Sequence, residues 1–365
     1  MAWSKKEFLD KLEKLRNVMN DHDMDCLLIQ KEANFAWLTG GRGYVSLGAE
    51  KSRAEMLITH DQVMLITNNI EVSRLISEEL NGLPIEAKVF NWWEKPAQQE
   101  LGVNLSGRNR FMTDADLGIS IDQMRWQLSN EEIDTYRKYG EMAADAVAEV
   151  CCRIKPDDTE FNAAGKLAAA CIMRELTPCV LLVGSDERVF SWRHPLPTTK
   201  RIDKYVLIVL GSYIKGLHIS CSRLVHFGTP TDKIKILHDA VCQVDACYRH
   251  HTLPGRKLGE IFNRGVSAYE AAGYPAEWKK HHQGGLTGYA SREILANPSS
   301  QQKVKARQAY AWNPSITGVK SEDTFLVMEY QNEVITRTNS FPHKKVIVED
   351  QSLYIPDILV RCIYY

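Results

Sequence analysis

Residues 209–223 read "VLGSYIKGLHISCSR": two apolar arms of strand character joined by a tight turn, with Gly211 and Gly216 bracketing it. Side chains alternate across a strand, so His218, Ser220 and Ser222 of the second arm are expected on one face. That face is polar but not acidic, and neither arm carries a carboxylate. A hairpin of this kind offers nothing that would hold a hard divalent ion, which wants several carboxylate oxygens.

Around this hairpin the segments "CVLLVG", "KYVLIVLG" and "LHISCSRLVHFG" read as strands. Helices precede them in "DDTEFNAAGKLAAACIMREL" and follow in "KIKILHDAVCQVDACYRHH" and "KLGEIFNRGVSAYEAAG". Strands return in "ARQAYAWNP", "DTFLVMEYQ", "EVITR" and "KKVIVED". Helices then strands, twice over, predict an α+β domain with two similar halves around one curved antiparallel sheet. The first third differs: "DCLLIQ", "EMLITH", "QVMLITN" and "EAKVFNW" are short strands alternating with helical segments such as "NIEVSRLISEELNGL". This predicts an α/β N-terminal domain over 1–125 and a second domain over 126–365, whose first helix opens at a Ser129-x-x-Glu132 capping box and stops at Pro156.

A chain of 365 residues suits two domains. With 44% hydrophobic and 25% charged residues and a net charge of −1, it lacks the basic surface a nucleic-acid binder needs. No apolar run is long enough to span a membrane. The N-terminus reads as an amphipathic helix with no apolar signal core, and nine cysteines without a C-x-x-C pair read as reduced thiols. A cytoplasmic protein is the expectation.

Histidines gather in turn-like segments: His194 in "FSWRHPLPT", His281 and His282 in "KKHHQGGLTGYASRE". Gly284, Gly285 and Gly288 permit close backbone approach around His282. Aromatic residues stand beside these turns, namely Trp192, Tyr289 and Trp312, and predict a wall for a small, partly apolar substrate.

As an ordered set, these motifs resemble the creatinase/aminopeptidase P/prolidase family, the "pita-bread" hydrolases. "QLSNEEI" is similar to the family's helix start, and His194-Pro195-Leu196-Pro197-Thr198 to its P-H-x-x-P-T turn, with Arg193 in place of the proline. In the family a G-H-x-x-G turn, an E-P pair and a G-x-x-x-E-D segment follow; here His282-Gln283-Gly284-Gly285, Asn313-Pro314 and Gly318 to Asp323 stand in that order. "NFAWLTGGRG" resembles the family's N-terminal domain more loosely.

The resemblance implies two metal ions held by two Asp, one His and two Glu. Carried over one at a time, these positions fall on Val209, Ser220, His282, Asn313 and Glu322. With only His282 and Glu322 retained, a dinuclear metal and a paired-metal mechanism are not expected, and no cofactor is. A single metal on His218, His282 and Glu322 remains an alternative. The creatinase branch implies a metal-free route: His194 as general acid/base, His282 and Glu322 positioning water or substrate, and Arg292 holding a substrate carboxylate. Ser220 and Ser222 would offer hydrogen bonds, Tyr289 and Trp192 a wall, and Arg42 a second carboxylate contact. The expected function is hydrolysis of a C–N bond in a small amide, amidine or peptide-like compound by a homodimer. The alternatives are a mononuclear metal-dependent Xaa-Pro peptidase and an inactive pita-bread peptide-binding protein.

Overall fold

A computed structural model describes residues 2–94 and 110–362. Its internal contacts divide the chain into two units, Met1–Glu131 with Lys215–Leu217, and Glu132–Ile214 with His218–Tyr365.

In the first unit, helix α1 (Lys5–Asp21) starts at Ser4, whose hydroxyl accepts from the Glu7 amide. Strands β1 (Cys26–Lys31), β2 (Lys51–Thr59), β3 (Val63–Asn68), β4 (Glu86–Phe90) and β5 (Phe111–Thr113) form one sheet in the order β4-β3-β2-β1-β5. The β1–β5 and β3–β4 pairs are parallel and the others antiparallel. Alternation puts Cys26, Leu28, Leu57, Met64 and Ile66 into one buried cluster, closed by Phe90 and Phe111. Helix α2 (Glu32–Thr39) ends at Gly40 in the left-handed conformation. The segment 70–83, expected as one regular helix, is instead a short helical piece followed by a π-turn over Leu75–Glu79.

The second unit opens with α3 (Asn130–Arg153) and α4 (Glu160–Ile172). Thr159 and Asn162 cap α4 reciprocally. Strands β6 (Thr177–Ser185), β7 (Tyr205–Ile214) and β8 (Leu217–Phe227) follow, then α5 (Asp232–His251) and α6 (Leu258–Ala271). Further strands follow: β9 (Gly284–Thr287), β10 (Ile294–Leu295), β11 (Gln308–Trp312), β12 (Ser315–Ile316), β13 (Val319–Lys320), β14 (Asp323–Val327), β15 (Asn332–Val334), β16 (His343–Val348) and β17 (Gln351–Pro356). Among the described residues the last strand, β18 (Ile358–Arg361), lies parallel to β8.

Two main sheets result, β18-β8-β7-β6 and β10-β9-β11-β14-β15. They meet where Ser222 of β8 bridges Glu322, just before β14, and where Thr324 exchanges hydrogen bonds of 2.9 Å with the Ser220 backbone. The α+β class expected from the sequence is found, with two joined sheets in place of one and a parallel β18–β8 pair in place of an all-antiparallel arrangement. Helix α5 packs Cys242 and Ala246 against Val346 and Ile355 of the β16–β17 hairpin.

The opening hairpin turns on Lys215 and Gly216, both at positive φ (49° and 82°), which suits a two-residue turn between twisted strands. Gly211 is not part of that turn. It lies within β7 opposite Val180, where an added Cβ would come within 2.9 Å of the Val180 side chain.

Candidate active site

The segment carrying His194 is tied at both ends. Glu160, buried at the start of α4, accepts from the Ser185 amide (2.8 Å) and hydroxyl (2.9 Å) with one oxygen. With the other it accepts from the Thr198 amide (2.9 Å) and hydroxyl (2.7 Å), and Arg188 pairs with it as well. Arg193, in the proline's place, forms an ion pair with Glu277 and donates to the Thr317 hydroxyl at 3.1 Å. Burial opposes the charge on Glu277. Donation from Lys280, Arg193 and Thr317 outweighs it and holds this carboxyl down at about 2.

The second histidine segment is set by β9. Gly284 has φ 94°, and a Cβ there would lie 2.1 Å from the Ala311 carbonyl, so only glycine lets β9 pair with β11 at this point. Gln283 is buried and donates to the carbonyls of His281 (2.6 Å) and Trp278 (3.2 Å), fixing the backbone that presents both histidines.

These constraints bring three imidazoles together. His194 Nε2 and His281 Nε2 are 2.9 Å apart, and His282 stacks on His281 with ring centroids 4.5 Å apart. Burial, with the nearby Lys320 ammonium and the other two imidazoles, pushes His281 down to about 2. Burial, Arg292 and Lys320 push His282 down to about 4, while burial and Lys320 lower His194 against the pull of Glu322. All three are neutral near pH 7.

That neutrality has a consequence for stability. The unfolded chain takes up these protons near pH 6.5, whereas folded His282 does so near 4 and His281 lower still. Folding stability is therefore full above about pH 6.5 and declines as pH falls toward 4. Denaturant unfolding across that window is expected to show the decline, with a shallower slope in His281→Gln; identical slopes would contradict it.

A cavity of about 420 Å³ opens beside the imidazoles, lined by His194, His282, Ser220, Arg292, Asn313, Lys320 and Glu322 and walled by Val180, Leu182, Val209, Leu210 and Leu295. Four of the five carried-over positions that line it, Val209, Ser220, Asn313 and His282, thus converge with the fifth, Glu322, on one space. Glu322 is buried and fully engaged. Its Oε2 accepts from Ser222 Oγ (2.7 Å) and faces Lys320 Nζ (3.2 Å), and its Oε1 accepts from Arg292 Nη2 (3.1 Å). Burial opposes its charge, but Lys320 and Arg292 outweigh that and hold the carboxyl below the usual range. Burial also lowers Lys320, against the attraction of Glu322.

The other expected contacts are placed elsewhere. Ser222 acts on Glu322 rather than facing the cavity. Tyr289 is buried and donates its hydroxyl to Glu132; Trp192 is 60% exposed; Trp312 is buried, stacked on Tyr248 at 4.4 Å. None of the three lines the cavity, so the expected aromatic wall is an aliphatic one. Arg42 forms an ion pair with buried Glu79 (2.6 Å) within the first unit, which accounts for its charge. His218 packs its ring on Tyr213 (centroids 5.3 Å) and does not join His282 and Glu322, so that single-metal set is not assembled. Two residues of the site escaped the sequence reading: His281, and above all Lys320. The signal for Lys320 was its place two residues before Glu322, which in extended chain puts both on one side.

Residues 134–329 match the model for metallopeptidase family M24, and residues 11–125 that for the creatinase/prolidase N-terminal domain. The chain is 25% identical to the uncharacterized peptidase YqhT of Bacillus subtilis, over 90% of this chain and 98% of that protein. It is 22% identical to a Xaa-Pro dipeptidase of Pyrococcus horikoshii, over 90% and 97%. The crystal structure of the prolidase from Pyrococcus horikoshii superposes with a TM-score of 0.73 at 20% identity, covering 90% of this chain and 99% of that one. Among the described residues no helix is long and apolar enough to cross a membrane.

Proposed function

The chain belongs to metallopeptidase family M24, and from that premise we propose that it hydrolyses a C–N bond of a small amide, amidine or peptide-like compound without a pair of metal ions. One observation carries the reading: at the cavity where the carried-over metal positions converge stand Val209, Ser220 and Asn313, and Lys320 adds an ammonium there. The residues present do not fit a dinuclear centre. Two hard cations need several carboxylates, for ligation and for charge. Among the described residues lining the cavity Glu322 is the one carboxylate, and it is already held by Ser222, Lys320 and Arg292. Neighbouring Asp323 and Asp245 are paired with Arg223 and Arg249.

The three imidazoles have nitrogens within 4.8 Å of one another, a spacing a single cation could use. The fixed charges beside them oppose this, since Lys320 and Arg292 face one carboxylate and a dication would add to the surplus.

What the geometry favours is proton transfer. His194 is neutral near pH 7, half-exposed to the cavity and joined to His281 through facing Nε2 atoms. A neutral imidazole there takes a proton from an attacking water and returns it to the departing nitrogen, with His281 holding the ring. His282 faces the same space as a second neutral donor or acceptor. Glu322 is a positioning residue: its oxygens fix Arg292 and Lys320, the groups that meet substrate. The aliphatic wall and the cavity's size suit a small molecule.

The test is turnover of a panel of N-acyl amino acids, cyclic amidines and Xaa-Pro dipeptides before and after exhaustive chelation. Cleavage of one class, undiminished by the chelator, is expected. Activity that vanishes on chelation and returns with zinc or manganese would overturn the metal-free reading.

A further inference from the structure

The charges around the cavity do not cancel. Lys320 and Arg292 both direct their cationic ends at Glu322, so two positive groups share one negative one. Lys320 is nearly sealed, with 4% of its side chain exposed. Arg292 Nε is buried with no hydrogen-bond partner. A surplus cation held among aliphatic side chains, with donors unmet, is stabilised by a counter-ion that brings acceptors.

We propose that Lys320 is the resident cation of this site, supplied by the chain where family M24 employs metal, and that it makes the cavity a receptor for an anionic small molecule. The ligand carries a carboxylate seated between the Lys320 ammonium and the Arg292 guanidinium, both of which line the cavity. A single surplus positive charge matches a monoanion; a phosphate dianion would leave the pocket negative. This deepens the hydrolase reading and rests on it: the compound cleaved is a carboxylic acid, its scissile C–N bond turned toward His194. Resemblance alone assigns Arg292 such a contact, whereas Lys320 follows from its burial, its partner and its place in the cavity.

The experiment is calorimetric titration with N-acetylglycine and with its neutral analogue N-acetylglycinamide, independent of any turnover. The wild-type protein is expected to bind the acid at millimolar concentration and the amide at least tenfold more weakly. Lys320→Met is expected to weaken the acid by about tenfold or more, the worth of a charge-assisted hydrogen bond, and to leave the amide unchanged. Lys320→Arg keeps the charge and should keep the preference. Circular dichroism establishes that each variant is folded, and Arg292→Gln repeats the test if Lys320→Met is not. Equal binding of acid and amide, an unchanged affinity in both neutral variants, or no binding of the acid overturns the proposal, as does zinc uptake that N-acetylglycine displaces. Should turnover depend on His194 while the acid shows no preference, the hydrolase stands and the anion site falls. Acid binding without turnover of any panel compound does the reverse.

Discussion

Glu322→Gln is expected to lower folding stability by about 3–5 kcal/mol, the usual cost of leaving a buried charge without its partner. The expectation is at the upper end of single-substitution effects because Glu322 answers two cations, Lys320 and Arg292, and also takes the Ser222 hydroxyl. The variant has a way to relax. Burial already lowers the Lys320 ammonium, and without Glu322 its proton is held less firmly still. Lys320 in the variant therefore titrates at lower pH than in the wild type, and the stability deficit should shrink as pH rises through that range. Adding Lys320→Met to Glu322→Gln should recover part of the loss, giving a coupling energy well outside additivity in a double-mutant cycle. Denaturant unfolding measures all three. A deficit under about 1 kcal/mol, typical of exposed ion pairs, would mean that this charge set is not buried as described.

His194→Gln is expected to slow turnover by about 10²–10⁴-fold, the contribution of a positioned general acid or base, with little change in unfolding. Glutamine can restore a hydrogen bond to His281 Nε2 but cannot carry a proton through the reaction. Because the active form is the neutral imidazole and its affinity for protons is lowered, wild-type kcat/KM should fall as pH drops through a value below 6.5. That acid limb should be absent from the residual activity of His194→Gln. A variant that keeps both its rate and the limb would remove His194 from the mechanism.

Much of the architecture was legible in the sequence because its signals are local. The strand runs around Val209 and Ser222 and the alternation in β1 to β3 are patterns of neighbours. Val209, Ser220, Asn313 and Glu322, the positions that the resemblance carried over, come from three separate segments and line one cavity. Three things were not legible, each for a physical reason. A lysine inside a cavity runs against its ordinary preference for solvent, which outweighed the one hint in "TGVKSEDTFLV", its place two residues before Glu322. The roles of Tyr289 and Trp312 depended on packing across the fold, where Glu132 and Tyr248 claim them. The resemblance singled out His282 and gave His281 no role, and only the pairing of Gly284 with β11 shows which ring turns toward His194.

If Lys320 stands in for metal as proposed, the turn residues have work to do around an altered centre. The His194 segment and the β9 glycines position imidazoles whatever supplies the positive charge. Under the proposal Lys320 supplies it, its ammonium held against burial by Glu322. On that proposal the site should be indifferent to chelators.

Anomalous diffraction from crystals grown with zinc and manganese tests that exchange most directly. The expected map shows no metal peak among Val209, Ser220, Asn313 and Glu322 and none on the three imidazoles, with Lys320 Nζ in contact with Glu322. One or two ordered ions in that cavity, with the Lys320 side chain turned away, would contradict it.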